Sequence, residues 1–328
     1  MLKLIRWIGK FLVFILVILL IAGIIYFKKD IQPEKLIAKY ATADSRFMNL
    51  MGMNVHYRDE GNMNDSVPLI LIHGTASSLL TWDSSVQILK KDQRIIRFDL
   101  PGYALTGPNP EKNYSFDFYT RFIDSFVNRL HIAHFFLAGN SLGGGIAWHY
   151  TLAHKEKVAG LVLVDASGYV GNSKPSGALG FKLAQIPVIN QLLKWITPRA
   201  IVKKSLEDVY GDDSKITETL VDQYYELLLR TGNRQALLDR MKTGFGTCES
   251  YRIKEIKSPT LIIWGDKDRL IPVACAYLFQ KDIPGSEVEI LKGIGHVPME
   301  EEPTRFAQII LPFISDVKKP KAKAGMVF

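Results

Sequence analysis

Short apolar runs bounded by polar and turn residues recur along the chain, and their spacing sets the architecture. Residues 69–72, Leu-Ile-Leu-Ile, are continuously apolar. That is the texture of a strand buried on both faces of a parallel sheet. Residues 94–98, 135–138, 161–164 and 260–264 repeat it, and 287–291 does so more weakly. Residues 47–50 and 54–58 read as an opening hairpin with Gly52 at the turn. Helical spacing of apolar residues fills 81–90, 116–130, 146–153, 274–280 and 304–314. Strands alternating with helices predict an α/β fold, a mostly parallel sheet covered on both faces.

The alternation breaks once. Between Asp165 and Pro259 more than ninety residues hold no strand pattern, while 179–196, 198–209, 215–229 and 233–242 read as helices. The first of these is strongly apolar, from Phe181 and Leu183 to Trp195 and Ile196. A helical insertion of this size after a central strand predicts a cap over a site. At the other extreme, Phe11 to Phe27 is a run of 17 uncharged residues, nearly all Leu, Ile, Val and Phe. As a helix it spans about 25 Å, close to the hydrocarbon core of a bilayer, with Trp7 and Tyr26 placed for the two interfaces. A cleaved signal would have a shorter apolar run and an Ala-x-Ala-like end. Here the run closes on Ile24-Ile25-Tyr26-Phe27-Lys28-Lys29, so a single N-terminal membrane helix is expected. Basic residues on both sides leave its orientation, and the side of the membrane, unassigned. The division that results is anchor 1–29, polar linker 30–45, catalytic core 46–168 and 253–317, cap 169–252, and basic tail 318–328.

The net charge of +8 changes this picture little once it is mapped. Five basic residues lie in 1–29 and four lysines in 318–328, which leaves 32 basic against 33 acidic residues in the body. A nearly neutral body removes the main support for a nucleic-acid partner. The tail, Lys318-Lys319-Pro320-Lys321-Ala322-Lys323, reads as a solvated end. The two cysteines, Cys248 and Cys275, make no metal-ligand pattern, and the seven histidines show no His-Glu-x-x-His spacing. Neither a metal nor a cofactor is expected.

The chemistry concentrates in Phe135-Phe136-Leu137-Ala138-Gly139-Asn140-Ser141-Leu142-Gly143-Gly144. A strand running into Gly-x-Ser-x-Gly and then into a helix is the context of a nucleophile elbow. The serine sits on a sharp turn with its hydroxyl exposed, and side chains two residues to either side would collide with neighbouring backbone. A serine needs a general base, and the base an orienting acid. His296, on the glycine-flanked loop Gly293-Ile294-Gly295-His296, is the candidate base. Asp266 and Asp268, both after the strand ending in Trp264-Gly265, and Asp165, after an earlier strand, are rival acids. An oxyanion hole needs two backbone N–H donors. Leu142, just after the serine, supplies one, and Thr75, in His73-Gly74-Thr75, the other.

Together these residues resemble the α/β-hydrolase superfamily over residues 46–315. The landmarks are His73-Gly74, Asp99-Leu100-Pro101-Gly102-Tyr103, the elbow at Ser141, Trp264-Gly265-x-x-Asp268-x-x-x-Pro272, and Gly295-His296. The resemblance implies Asp268 as the acid, with Asp266 a solvated neighbour. Ala104 departs from the pattern, where relatives often carry glycine. Relatives that dehalogenate alkanes or open epoxides use aspartate at the elbow, so Ser141 argues against both. Relatives that cleave carbon–carbon bonds in ring-fission products share Gly-Asn-Ser-x-Gly-Gly, yet commonly carry Trp where this chain has Val297. The membrane run suits a hydrophobic or lipid-derived ester, and membrane-anchored esterases and monoacylglycerol lipases are the analogues this reading implies. The expected activity is serine-dependent carboxylic ester hydrolysis by Ser141, His296 and Asp268. C–C hydrolysis is the alternative, and a non-catalytic binding protein of this fold a third reading.

Overall fold

The computed structural model describes residues 26–169, 194–243 and 249–319 throughout, with isolated positions within 6–23 and 186–192. Most of the apolar run at 11–27, most of the expected helix at 179–196, and Cys248 therefore lie outside the described residues. No helix among the described residues is long and apolar enough to cross a membrane.

Among the elements described from residue 28 onward, helix α1 (Pro33–Tyr40) comes first, then strands β1 (Ser45–Leu50), β2 (Met53–Gly61) and β3 (Leu69–Ile72). Helix α2 (Asp83–Leu89), β4 (Arg94–Phe98), α3 (Phe116–Arg129), β5 (Phe135–Asn140), α4 (Leu142–Ala153) and β6 (Val158–Val164) follow. The insertion carries α5 (Arg199–Val209), α6 (Glu218–Leu228) and α7 (Asn233–Lys242). The chain returns through β7 (Thr260–Gly265), α8 (Ala274–Asp282), β8 (Glu287–Leu291), α9 (Pro298–Glu301) and α10 (Pro303–Lys318).

Among the described residues the strands make one eight-stranded sheet in the order β1-β2-β4-β3-β5-β6-β7-β8. The β1–β2 and β2–β4 pairs are antiparallel and the remaining pairs parallel. Side-chain alternation divides each central strand between two cores. Ile70, Ile72, Leu137, Leu161, Leu163 and Ile262 pack with α3, α4 and α8, through Phe122, Ile146 and Phe279 among others. Leu69, Leu71, Phe136, Val162, Val164 and Ile263 pack with α2 and α10, through Val86, Phe306 and Ile310. Burial on both sides explains why these strands are apolar without a polar face.

From β3 the chain adds β4 on one side and later β5 on the other. The carboxyl ends of β3 and β5 therefore flank a topological switch point, where open α/β sheets leave a crevice. Ser141 and Thr75 stand at those two ends.

Two local expectations change. Helix α4 begins at Leu142, four residues before the apolar pattern does, because its first turn is Gly143-Gly144-Gly145. Glycine has poor helix propensity, so packing rather than propensity holds this turn. Residues 30–45, expected as a polar linker, are instead docked. Ile31 exchanges backbone hydrogen bonds with Leu229 and Thr231 (2.8 and 3.0 Å), and Asp30 pairs with Arg234. Leu36 of α1 is buried with Ala104, Leu105 and Leu227. Lys318, expected at the head of a free basic tail, ends α10 and pairs with Asp65 at 2.9 Å.

Candidate active site

Ser141 lies between β5 and α4 with φ +55° and ψ −116°. A non-glycine residue there stores strain of roughly 1–3 kcal/mol, so its surroundings must impose it. The Ser141 N–H donates to the Val164 carbonyl at 3.0 Å, and its own carbonyl accepts the Gly145 and Ser167 amides at 3.1 and 3.0 Å. A Cβ on Gly139 would sit 2.1 Å from the Gly143 carbonyl oxygen, and one on Gly143 would sit 2.3 Å from that of Ile72. Both glycines are required by backbone approach. Because α4 starts at Leu142, the positive end of its dipole faces the serine.

His296 follows β8 on the loop the sequence indicated. Its Nδ1–H donates to Asp268 Oδ2 at 2.7 Å, while Asp268 Oδ1 accepts the Leu270 and Ile271 amides at 2.7 and 3.0 Å. The two side chains are 5% and 0% exposed, so their pairing is shielded from water. The other ring nitrogen, Nε2, engages no protein group among the described residues. Asn140, immediately before the serine, donates its side-chain N–H groups to the carbonyls of His296 (2.9 Å) and Val164 (3.2 Å). The elbow and the histidine loop are thereby tied together. Of the three rival acids, Asp268 is the one that accepts the histidine. Asp266 is exposed and braces the loop by accepting the Gly293 amide at 2.7 Å. Asp165 is buried beside the pair: one of its carboxylate oxygens, one of Asp268 and one His296 ring nitrogen all lie within 4.8 Å of one another. A cation held by these three residues would have to displace the His296–Asp268 hydrogen bond.

On the opposite side, Gly74 lies against the serine: a Cβ there would be 3.2 Å from the Ser141 Cβ. Thr75 follows directly. His73 braces this turn from below, donating Nδ1–H to the Gly74 carbonyl (2.8 Å) and accepting the Leu100 amide on Nε2 (2.9 Å). Burial pushes its imidazole pKa down, which keeps it neutral, as that donor–acceptor pattern demands. Neither the Thr75 nor the Leu142 amide donates to a backbone carbonyl among the described residues. Ala104 adopts φ +41°. The departure from glycine therefore falls at a left-handed position, where a side chain is strained.

Sequence reasoning missed two glutamates on α9, which pattern alone assigns to an exposed acidic run. Glu301 is 4% exposed and accepts three amides, from Gly211 and Asp212 after α5 (both 3.0 Å) and from Gly295 of the histidine loop (2.9 Å). Glu300 accepts the Tyr224 hydroxyl of α6 at 2.8 Å and the Thr81 hydroxyl at 3.1 Å. Burial raises its carboxyl pKa from 4.5 to about 7. With the His296 N–H donating to the Val209 carbonyl at 2.7 Å, these bonds join the insertion to the catalytic loop. Between α6 and the loops after β3 and β4 lies a small crevice, with room for about one water molecule, lined by Ala76, Ser77, Tyr103, Tyr224, Leu227 and Leu228. It reaches the residue after Thr75, but neither Ser141 nor His296 lines it.

A second Ser-His-Asp array shows what distinguishes the first. His56 bridges Ser45 Oγ and Asp99 Oδ2, each at 2.8 Å. Ser45 Oγ also accepts the Thr42 amide (3.1 Å) and Arg58 Nε (3.3 Å), so both its lone pairs are occupied when its proton faces His56. It stands at the start of a strand, without an elbow or a helix N-terminus behind it. Nothing is left to attack a substrate, and the array is a structural clamp.

The fold has counterparts among known proteins. A family model described as alpha/beta hydrolase fold matches residues 67–303. A 2-hydroxy-6-oxononadienedioate/2-hydroxy-6-oxononatrienedioate hydrolase of Escherichia coli K12 is 28% identical over 291 residues, covering 83% of this chain and 96% of the relative. Among solved structures, a membrane phospholipase A from a bacterium, described as a virulence factor, superposes with a TM-score of 0.74 at 24% identity. It covers 95% of this chain and all of the other. A candidate lipase, lip1, of Acinetobacter baumannii AYE gives 0.72 at 25% identity, covering 88% and 98%.

Proposed function

The chain belongs to the α/β-hydrolase fold family, and from that premise we propose that it is a serine hydrolase of carboxylic esters with hydrophobic, lipid-derived acyl groups. One observation carries the reading: a strained serine at φ +55° is tied through Asn140 to a histidine whose Nδ1 is held by a shielded aspartate. In this reading Ser141 attacks the ester carbonyl while His296 Nε2 takes its proton. The amides of Leu142 and Thr75 hold the oxyanion. His296 then protonates the leaving alcohol and activates water against the acyl-enzyme, with Asp268 fixing the tautomer and stabilising the imidazolium. The uncharged run at 11–27 favours an apolar acyl group presented at a membrane, with the run as its anchor. The lipase and phospholipase among the structural relatives are consistent with that substrate class.

Cleavage of carbon–carbon bonds in ring-fission products is the second reading, favoured by the E. coli relative. Val297, where such enzymes commonly carry tryptophan, weighs against it. The deciding experiment is labelling of Ser141 by a fluorophosphonate, followed by a panel of chromogenic esters of graded acyl length and one ring-fission diketone. We expect labelling that Ser141→Ala abolishes, and medium-chain esters turned over faster than acetate. Asp268→Asn should lose about 10³–10⁴ in rate and Asp266→Asn far less. Labelling that survives Ser141→Ala refutes the nucleophile. A diketone turned over in preference to every ester refutes the substrate class.

A further inference from the structure

Asp165 is a buried acid that the proposed reaction does not use. It follows β6 directly, with φ +44° and no exposed surface. Its Oδ1 accepts the Gly265 amide at 3.0 Å. Its Oδ2 meets no donor among the described residues. What it does meet is the Asp268 carboxylate, within the 4.8 Å cluster that also includes His296.

Two buried carboxylates this close do not both ionise. The donors decide which one keeps the proton. Asp268 receives three, the Leu270 and Ile271 amides and His296 Nδ1–H, all of which favour its anion. Asp165 receives one. Glu301, a further acid nearby, also disfavours a second negative charge there. Burial, first, and the neighbouring Asp268 charge, second, push the Asp165 carboxyl well above the ordinary carboxylate range.

We propose that Asp165 is a positioning residue that stays neutral and donates its Oδ2 hydrogen to Asp268, holding that carboxylate in line with His296. The proposal rests on the hydrolase reading above, and its test is kept separate from the choice of substrate. Asparagine reproduces the neutral acid, since its carbonyl accepts the Gly265 amide and its N–H donates to Asp268. Leucine fills the space with no donor. The readout is the second-order rate of Ser141 labelling by a fluorophosphonate from pH 5 to 9, on the full chain in detergent, with melting curves as a check on folding.

Asp165→Leu should slow labelling by about 10- to 100-fold, the scale of a lost hydrogen bond to a charged group. Asp165→Asn should recover most of that loss and leave the midpoint of the acidic limb within about 0.3 unit of the parent. If Asp165 were ionised in the parent, the same Asn change would remove a negative charge beside His296 and lower that midpoint by about one unit or more. Such a drop overturns the proposal. So does an Asn variant as slow as the Leu one, a Leu variant as fast as the parent, or a parent rate lost on EDTA treatment. Should the Leu variant fail to fold, the Asn rate and its acidic limb still decide. A parent protein that is not labelled at all refutes the hydrolase reading instead.

Discussion

Glu300→Gln should make the protein more stable at alkaline pH and leave it unchanged in acid. Glu300 is part-buried, with its carboxylate beneath Tyr224 and against Thr81, and Tyr210 also faces it. Burial, the largest influence, raises its pKa from 4.5 to about 7. An acid with a raised folded-state pKa binds its proton more tightly folded than unfolded. Its contribution to stability is then complete below about pH 4.5 and is lost as pH rises through about 7. Each pKa unit is worth about 1.4 kcal/mol, so the full swing is about 3 kcal/mol, and residual solvent contact reduces it to roughly 1–3 kcal/mol.

Glutamine keeps an acceptor for the hydroxyl donors and cannot ionise. The difference between variant and parent should therefore be near zero at pH 4.5 and grow to roughly 1–3 kcal/mol in favour of glutamine by pH 8. Taking the difference cancels other buried acids, notably Asp165, whose raised pKa tilts both proteins alike. Equilibrium unfolding in urea at several pH values measures it. A difference that is flat between pH 4.5 and 8, or that favours glutamate at high pH, refutes the argument. The consequence reaches function because Glu300 joins α6 to the core beside the histidine loop. Above about pH 7 the carboxylate accepts only, and below it one oxygen carries a proton, so the grip between insertion and core changes near neutrality.

Two further substitutions test the scaffold. Glu301→Ala leaves the Gly211, Asp212 and Gly295 amides without their acceptor and should cost about 3–5 kcal/mol in unfolding measurements, while slowing Ser141 labelling; a loss under about 1 kcal/mol would contradict the bracing role. Gly143→Ala drives a methyl to 2.3 Å from the Ile72 carbonyl and 2.7 Å from that of His73, neither of which yields, and should abolish the folded elbow. Gly293→Ala meets nothing within 4 Å and should cost only about 1 kcal/mol for its φ of +81°, so equal melting temperatures for the two alanine variants would refute the packing account.

These cases show where sequence suffices and where it stops. The elbow was legible because its constraint is local: a strand, a serine, two flanking glycines and a helix, all between Phe135 and Ala153. The glycine spacing records backbone approaches so close that a Cβ would fall 2.1 and 2.3 Å from a carbonyl oxygen. The acid was not legible from the residues alone. Asp165, Asp266 and Asp268 all follow strands, and proximity to a strand end is common to them; the 2.7 Å bond to His296 Nδ1 is what separates them. Glu301 was invisible for a different reason. Its three partners lie as far as ninety positions away, and three successive glutamates at a helix start read as solvated charge. The docking of residues 30–45 escaped likewise, because Ile31 is held by backbone pairing to Leu229 and Thr231, which leaves no pattern of side chains. What the pattern misses is thus long-range polar contact, to main-chain groups at Glu301 and Ile31 and to side chains at Glu300 and Asp268. In this chain, that is how the insertion, the segment before the core and the histidine loop are fastened to one another. The nucleophile is legible from local geometry, while the residues that set how firmly the insertion is fastened to the core are not. Substitutions at Glu300, Glu301 and Arg234 should therefore alter access and orientation more than the chemical step.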